Sequence, residues 1–214
     1  MPRMRRFLLL VSVISAAVLS AAGTQPLALD VVIRNGRVMD GSGNPWLRAD
    51  VGIRGDRIVA VGRLDDASAG RIIDAHDRIV APGFIDVHSH AAEGITNPAL
   101  RQAQPLIAQG VTTFVANPDG GGPVDLAAQR AALERDGGVG PNIALLIGHG
   151  SVRRAVMGVE NRAPTSDELN RMIDLVRRGT KDGAFGLSSG LFYVPGSFAK
   201  TEEVVARLQP MAVG

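Results

Sequence analysis

The sequence predicts an α/β chain in which a small β domain precedes a series of parallel strand–helix units. Three observations carry this. Residues 30 to 80 hold several short apolar strands separated by Asn-Gly, Gly-Asp and Gly-rich turns. After Pro82 the pattern changes to short apolar strands alternating with helical stretches. Those later strands lack polar alternation, which fits a sheet covered on both faces or a closed barrel.

In the first region, "DVVIRNGRVMD" reads as a strand, a turn at Asn35-Gly36 and a second strand. "ADVGIRGDRIVAVG" repeats the pattern with Gly55-Asp56 at the turn, and "GRIIDAHDRIVAPG" does so again. Short strands with tight turns suggest a small β sandwich or barrel. Beyond Pro82, "GFIDVH", "VTTFVAN", "NIALLIGHG" and "GAFGLSSG" read as strands. Between them, "NPALRQAQPLIAQG" reads as mostly helical, interrupted at Pro105. "PVDLAAQRAALERDGG" is a helix with Pro123 near its start and glycines at its end. "TSDELNRMIDLVRRG" opens on a capping box, Thr165 to Glu168, and closes with Arg177, Arg178 and Gly179. "TEEVVARLQ" begins another helix with Thr201 as its N-cap. Four strand–helix units are expected from residue 83 onward.

With 214 residues and 45% hydrophobic content, the chain can bury a core. It has no cysteine, which excludes disulfides and a thiolate nucleophile. Arg3, Arg5 and Arg6 precede an apolar run from Phe7 to Leu19, followed by Ser20, Ala21 and Ala22. That order describes a secretory signal peptide over residues 1–22 and a soluble periplasmic or secreted protein. An uncleaved anchor is the alternative, although a bilayer span needs roughly 20 apolar residues. Removing the three arginines leaves the remainder near neutral, so no basic face for nucleic acid is expected. The expected organisation is therefore 1–22 signal peptide, 23–81 partial β sandwich and 82–214 parallel strand–helix units.

The chemistry-bearing stretch is "APGFIDVHSH". His88 and His90 stand two apart at the end of the first parallel strand, so both imidazoles face one side with Ser89 turned away. Ligands of barrels and open α/β sheets bind at the C-terminal ends of strands. The spacing points to a metal pair; the plainer alternative is two half-exposed polar residues at a strand exit.

Six blocks in order then carry a family likeness. "DVVIRNGRVMDGSG", "GDRIVAVG", "IIDAHDRIVAPGFIDVHSH", "GVTTFVANPDG", "GHGSVRRAVMG" and "FGLSSGLFYVPGSFAKTEE" resemble the amidohydrolase superfamily, in its N-acyl-D-amino-acid deacylase branch, over nearly all of residues 30 to 205. The resemblance implies the N-terminal half of a metal-dependent (β/α)₈ barrel beside part of a small β sandwich. It also implies hydrolysis of a linear amide C–N bond, with N-acyl-D-amino acids as substrates and one or two divalent ions such as Zn²⁺. Members of this branch place a metal-binding cysteine in a stretch similar to "GVTTVVxGNCG". Aligned on Gly110-Val111-Thr112-Thr113 and the following glycine, that cysteine falls on Asp119. A carboxylate binds Zn²⁺ at roughly 2.0–2.2 Å, so Asp119 is expected to join His88 and His90. "NPDGGGP" is equally a good turn sequence. The fourth strand has no lysine, and Lys181 and Lys200 lie outside it, which favours the deacylase branch over the dihydroorotase and hydantoinase branches.

On the substrate side, the resemblance matches Tyr193 to a tyrosine that helps bind the substrate carboxylate or carbonyl. His149 ends the third strand, where it is expected to contact substrate or sit just behind it; the alternative is a loop histidine bonded to backbone. Ser188 is a further substrate-side candidate, and turn formation beside glycine is the alternative for Ser188 and Ser189. His76 reads as a surface turn residue. The resemblance implies a carboxylate general base on the last barrel strand, expected beyond Gly214.

A (β/α)₈ barrel needs on the order of 250 residues, and only four of its strands are expected here. Pro210 in "ARLQPMAVG" breaks the last helix. These features lead to the expectation of a truncated or frameshifted reading frame with little activity, an inactive remnant being the alternative to a working enzyme. A cyclic-amide or lactone hydrolase of the same superfamily is the other reading. An open barrel edge would favour self-association.

Overall fold

The computed structural model describes residues 28–208, which fall into two units that part between Pro82 and Gly83. The expected signal peptide and Pro210 lie outside the described residues.

The first unit is one mixed sheet built on β1, Ala28–Val38. β2, Leu47–Arg54, pairs with it antiparallel, and β3, Arg57–Gly62, pairs antiparallel with β2. β4, Ser68–Asp74, and β5, Ile79–Val80, both run parallel to β1 on its other side. The strand order is β3-β2-β1-β4 with β5 also on β1, one layer of the expected partial sandwich. Val38, Ala49 and Val51 form its small apolar cluster.

Two expected hairpins turn out differently. Gly55-Asp56 does join β2 to β3, with Gly55 at φ +58°. Asn35-Gly36 instead lies inside β1 as a bulge, where the register against β2 shifts between Ile33 and Gly36 and Asn35 takes φ +57°. The reason is the neighbour on the other side. The turn after β4 presses into the bulge: Ala75 N–H donates to Arg34 O, Asp77 N–H to Asn35 O, and Arg37 N–H to Arg78 O, at 2.8–3.0 Å. β4 and β5 consequently follow each other along β1 instead of pairing as a hairpin.

The second unit is a four-stranded parallel sheet. β6 is Phe84–Ser89, β7 Val111–Ala116, β8 Asn142–Gly148 and β9 Gly186–Ser188, in spatial order β6-β7-β8-β9. Spatial order equal to chain order is how a barrel is laid down; a doubly wound sheet reverses direction at a switch point. The helices are α1, Ala92–Ile95; α2, Gln104–Ile107; α3, Leu126–Glu134; α4, His149–Met157; α5, Ser166–Lys181; and α6, Thr201–Leu208.

Alternate residues of β7 and β8 face the helices. Phe114, Ala116 and Leu145 pack with Ile95 and Leu133. Ile147 packs with Leu126, Val152, Met172 and Val176. Met172 and Val176 are four apart on α5, one stripe of a helix whose other side is charged.

The segment before β7 is not one helix. It breaks into α1, a 3₁₀ turn at Pro98–Leu100 and α2, because Pro98 and Pro105 each lack the N–H that would continue the ladder. α3 begins at Leu126, where the Asp125 carboxylate accepts from Ala128 N–H at 2.9 Å. The α5 capping box is present: Thr165 Oγ1 accepts from Glu168 N–H and Glu168 Oε2 from Thr165 N–H. α4 is an addition to the sequence reading. It starts from Gly148 with no side-chain cap and ends at Gly158, so neither terminus carries the usual signals.

Candidate metal centre

The site grows from the C-terminal ends of β6 and β7. The β6–β7 register shifts between Asp86 and Ser89, a bulge that re-aims the end of β6. Asp86 Oδ1 accepts from His88 N–H at 3.1 Å and holds the bulge. Ser89 is buried, whereas His88 and His90 project on the other side.

Asp119 comes from the loop after β7. Asn117 and Asp119 both take left-handed backbone, at φ +62° and +58°, which Asn and Asp tolerate better than most residues. Side chains of neighbouring elements pin this loop. Asn117 and Gln129 exchange amide hydrogen bonds at 2.9 and 3.0 Å, and Asn117 Nδ2 also donates to Leu146 O. Ser188 Oγ donates to Asn117 O at 2.6 Å and accepts from Gly120 N–H at 3.1 Å. Ser151 N–H donates to Gly120 O at 2.9 Å. Gly120, at φ +73°, lies so close to the backbone of Gly150 and Gly190 that a Cβ would sit 3.1 Å from either nitrogen.

The outcome is a convergence. Asp119 Oδ2 lies 3.3 Å from His88 Nε2 and 3.3 Å from His90 Nε2. One donor atom from each of the three lies within 4.8 Å of the others. Ligands at about 2.0–2.1 Å around a tetrahedral ion stand roughly 3.3–3.4 Å apart, so the carboxylate–imidazole spacing suits one cation held by all three. Two imidazoles and a carboxylate are a donor set suited to zinc and its neighbours. His90 and Asp119 border an open cavity of about 620 Å³, lined also by Glu93, Arg154 and Tyr193 among others.

Residues 71–209 match the amidohydrolase family. The chain belongs to that family. This amidohydrolase chain is 36% identical to the D-aminoacylase of Alcaligenes xylosoxydans xylosoxydans, over 91% of its own length and 44% of that protein's. It is 38% identical to the N-acyl-D-glutamate deacylase of the same organism, over 82% of its length and 40% of the relative's. Among solved structures, a D-aminoacylase described with a binuclear metal centre superposes with a TM-score of 0.79 at 36% identity, covering 86% of this chain and 43% of that one. The zinc- and phosphonate-bound N-acyl-D-glutamate deacylase of Bordetella bronchiseptica gives 0.78 at 33% identity, covering 87% and 43%. The four parallel strands are thus a half-barrel matching part of the amidohydrolase TIM barrel, and the chain spans less than half the length of these relatives.

The remaining site candidates separate. Tyr193 borders the cavity and is exposed. His149 and Ser188 do not. His149 opens α4 and is wholly buried, with its ring nitrogens 3.4 Å from Glu203 Oε1 and from Ser189 Oγ. Ser188 has its hydroxyl committed to the Asn117–Gly120 loop. Both lie off the cavity lining: His149 takes the position behind the site that was one of its two expected places, and Ser188 braces the loop that carries Asp119. His76 is an exposed turn residue at φ +49°.

Sequence reasoning missed the network behind His149. Arg153 is fully buried, and its Nη1 donates to Glu203 Oε2 at 2.6 Å. Its Nη2 donates to Glu160 O and Arg162 O. Glu203 sits far along the chain on α6, so no local pattern marks the pair. Recognising α4 as a helix would have been the one available signal, since it separates Arg153 from Arg154 by face.

Proposed function

We propose that this amidohydrolase chain carries the first part of the site of a metal-dependent hydrolase acting on the amide C–N bond of N-acyl-D-amino acids. The observation that carries the reading is the convergence of His88, His90 and Asp119 on one point at the pocket edge. The likeness to D-aminoacylase and N-acyl-D-glutamate deacylase supports the substrate class. Zinc is the proposed ion, in one or two copies, with His88, His90 and Asp119 holding it. When bound there, a divalent ion supplies Lewis-acid polarisation of a carbonyl and acidification of water.

The chain's own residues position the donors and the substrate. The β6 bulge aims both imidazoles to one side, and the Asn117–Gln129–Ser188 bonds fix the carboxylate opposite them. This preorganises three donors before any ligand arrives. Tyr193 offers a phenolic O–H over the same cavity, suited to a substrate carboxylate or carbonyl. Export to the periplasm or medium belongs to the same proposal, resting on the charged, apolar, small order of residues 3–22.

A second reading, metal binding without turnover, needs only the same three donors. Zinc titration followed by an assay of N-acetyl-D-amino acid hydrolysis separates the two. Zinc-dependent release of the free amino acid supports the enzyme; stoichiometric zinc with no release supports the second reading. Absence of zinc binding refutes both. Turnover of a cyclic amide or lactone in place of the linear amide would move the substrate assignment.

A further inference from the structure

α4 carries two consecutive arginines with opposite fates. Arg153 turns inward and is neutralised by Glu203. Arg154 lies on the face shared with Gly150 and Ser151, four and three residues earlier, and all three border the cavity that holds His90 and Asp119. Its Nη2 donates to Val194 O at 2.9 Å. That bond ties the guanidinium to the loop bearing Tyr193. Among the described residues Arg154 is paired with no carboxylate, and it is the one arginine or lysine lining this cavity.

The electrostatics then pose a problem that Arg154 solves. The cavity carries the Glu93 carboxylate as well as that of Asp119, whose charge the proposed cation takes up. An N-acyl amino acid brings a further carboxylate, and like charges brought together out of water repel. A guanidinium is the side chain best matched to a carboxylate, through two parallel N–H···O bonds. We propose that Arg154 is the anion anchor of the pocket, binding the free α-carboxylate of an N-acyl amino acid and so selecting acids over their uncharged amides. This rests on the substrate class proposed above, and it adds a specificity-determining residue to it.

The test is a pair of probes on the zinc-loaded full chain, N-acetyl-D-leucine and N-acetyl-D-leucinamide, with binding read by calorimetry. Arg154→Met is expected to weaken binding of the acid roughly tenfold or more while leaving the amide unchanged, and Arg154→Lys to recover part of the loss. Thermal melting and zinc stoichiometry of each variant check that the fold and the metal site persist. If wild-type chain binds the acid and Arg154→Met binds it equally well, the anchor is refuted and the substrate class stands. If acid and amide weaken together, Arg154 merely holds the Tyr193 loop, and the anchor is again refuted. If wild-type chain binds neither probe, the substrate class itself falls.

Discussion

Asp119 shows how much a single residue has to satisfy. Its backbone is left-handed, its carboxylate faces two imidazoles, and its loop touches β8, β9, α3 and α4. Asp119→Asn keeps the size and the tolerance for this backbone while removing the charge. We expect it to lower zinc affinity by at least about tenfold, the lower end of what outer-sphere losses alone cost, with the fold intact by circular dichroism. Zinc competition against a chromophoric chelator measures this, and unchanged affinity would remove Asp119 from the donor set. Phe114 is the contrasting case, since it is fully buried at the centre of the helix-facing side of β7. Phe114→Ala should cost about 3–5 kcal/mol in urea unfolding without moving a metal ligand.

Among the elements, α5 and α6 are anchored by different electrostatics. At the start of α5, Arg162 grips Glu168 with both Nη atoms, at 2.7 and 2.8 Å, while the Thr165 N–H donates to the same carboxylate. The guanidinium first, and then the backbone N–H, pull the Glu168 pKa down from 4.5 to about 2. A depressed carboxylate pKa stabilises the fold above the unfolded value, and that contribution fades as pH falls from about 4.5 through about 2. Glu168→Gln should flatten the stability profile in that window and leave its shape near neutral pH alone, which denaturant titrations across acid pH would show. α6 is tied by Glu203, which bonds Arg153 on α4 within a buried setting. Glu203→Ala leaves a buried guanidinium without its counter-charge, and a loss of about 3–5 kcal/mol is expected in urea unfolding. A cost below about 1 kcal/mol would mean the pair is solvated in solution.

For the whole molecule, the outer strands matter most. Within the described residues β6 and β9 each have one unpaired side. β6 exposes Phe84, Ile85 and Val87, the last at 73%, and Phe185 beside β9 is also exposed. Apolar surface of this kind on an open strand edge invites pairing with another chain. Sedimentation velocity is expected to show association that grows with concentration, and Val87→Lys to reduce it. A wild-type chain that stays monomeric as concentration rises would contradict this.

What was legible in the sequence follows from range. The parallel βα series, the α5 capping box and the Gly55-Asp56 turn depend on residues within a few positions of one another, so their periodicity and turn chemistry sufficed. The His88–His90 pair was legible for the same reason, and Asp119 through its place in an aligned block. The Asn35-Gly36 signal misled because a turn dipeptide becomes a bulge when a neighbouring strand keeps the chain extended, and that neighbour, β4, lies over thirty residues on. His149 and Ser188 carry the polar groups expected of substrate contacts, but burial is a property of packing, and packing put them under the pocket. The sequence by itself determined most of the elements, the family and the candidate donors. Tertiary structure alone decided which polar side chains face the cavity and which are spent holding it, because that choice is set by contacts such as Arg153–Glu203, between residues 50 positions apart.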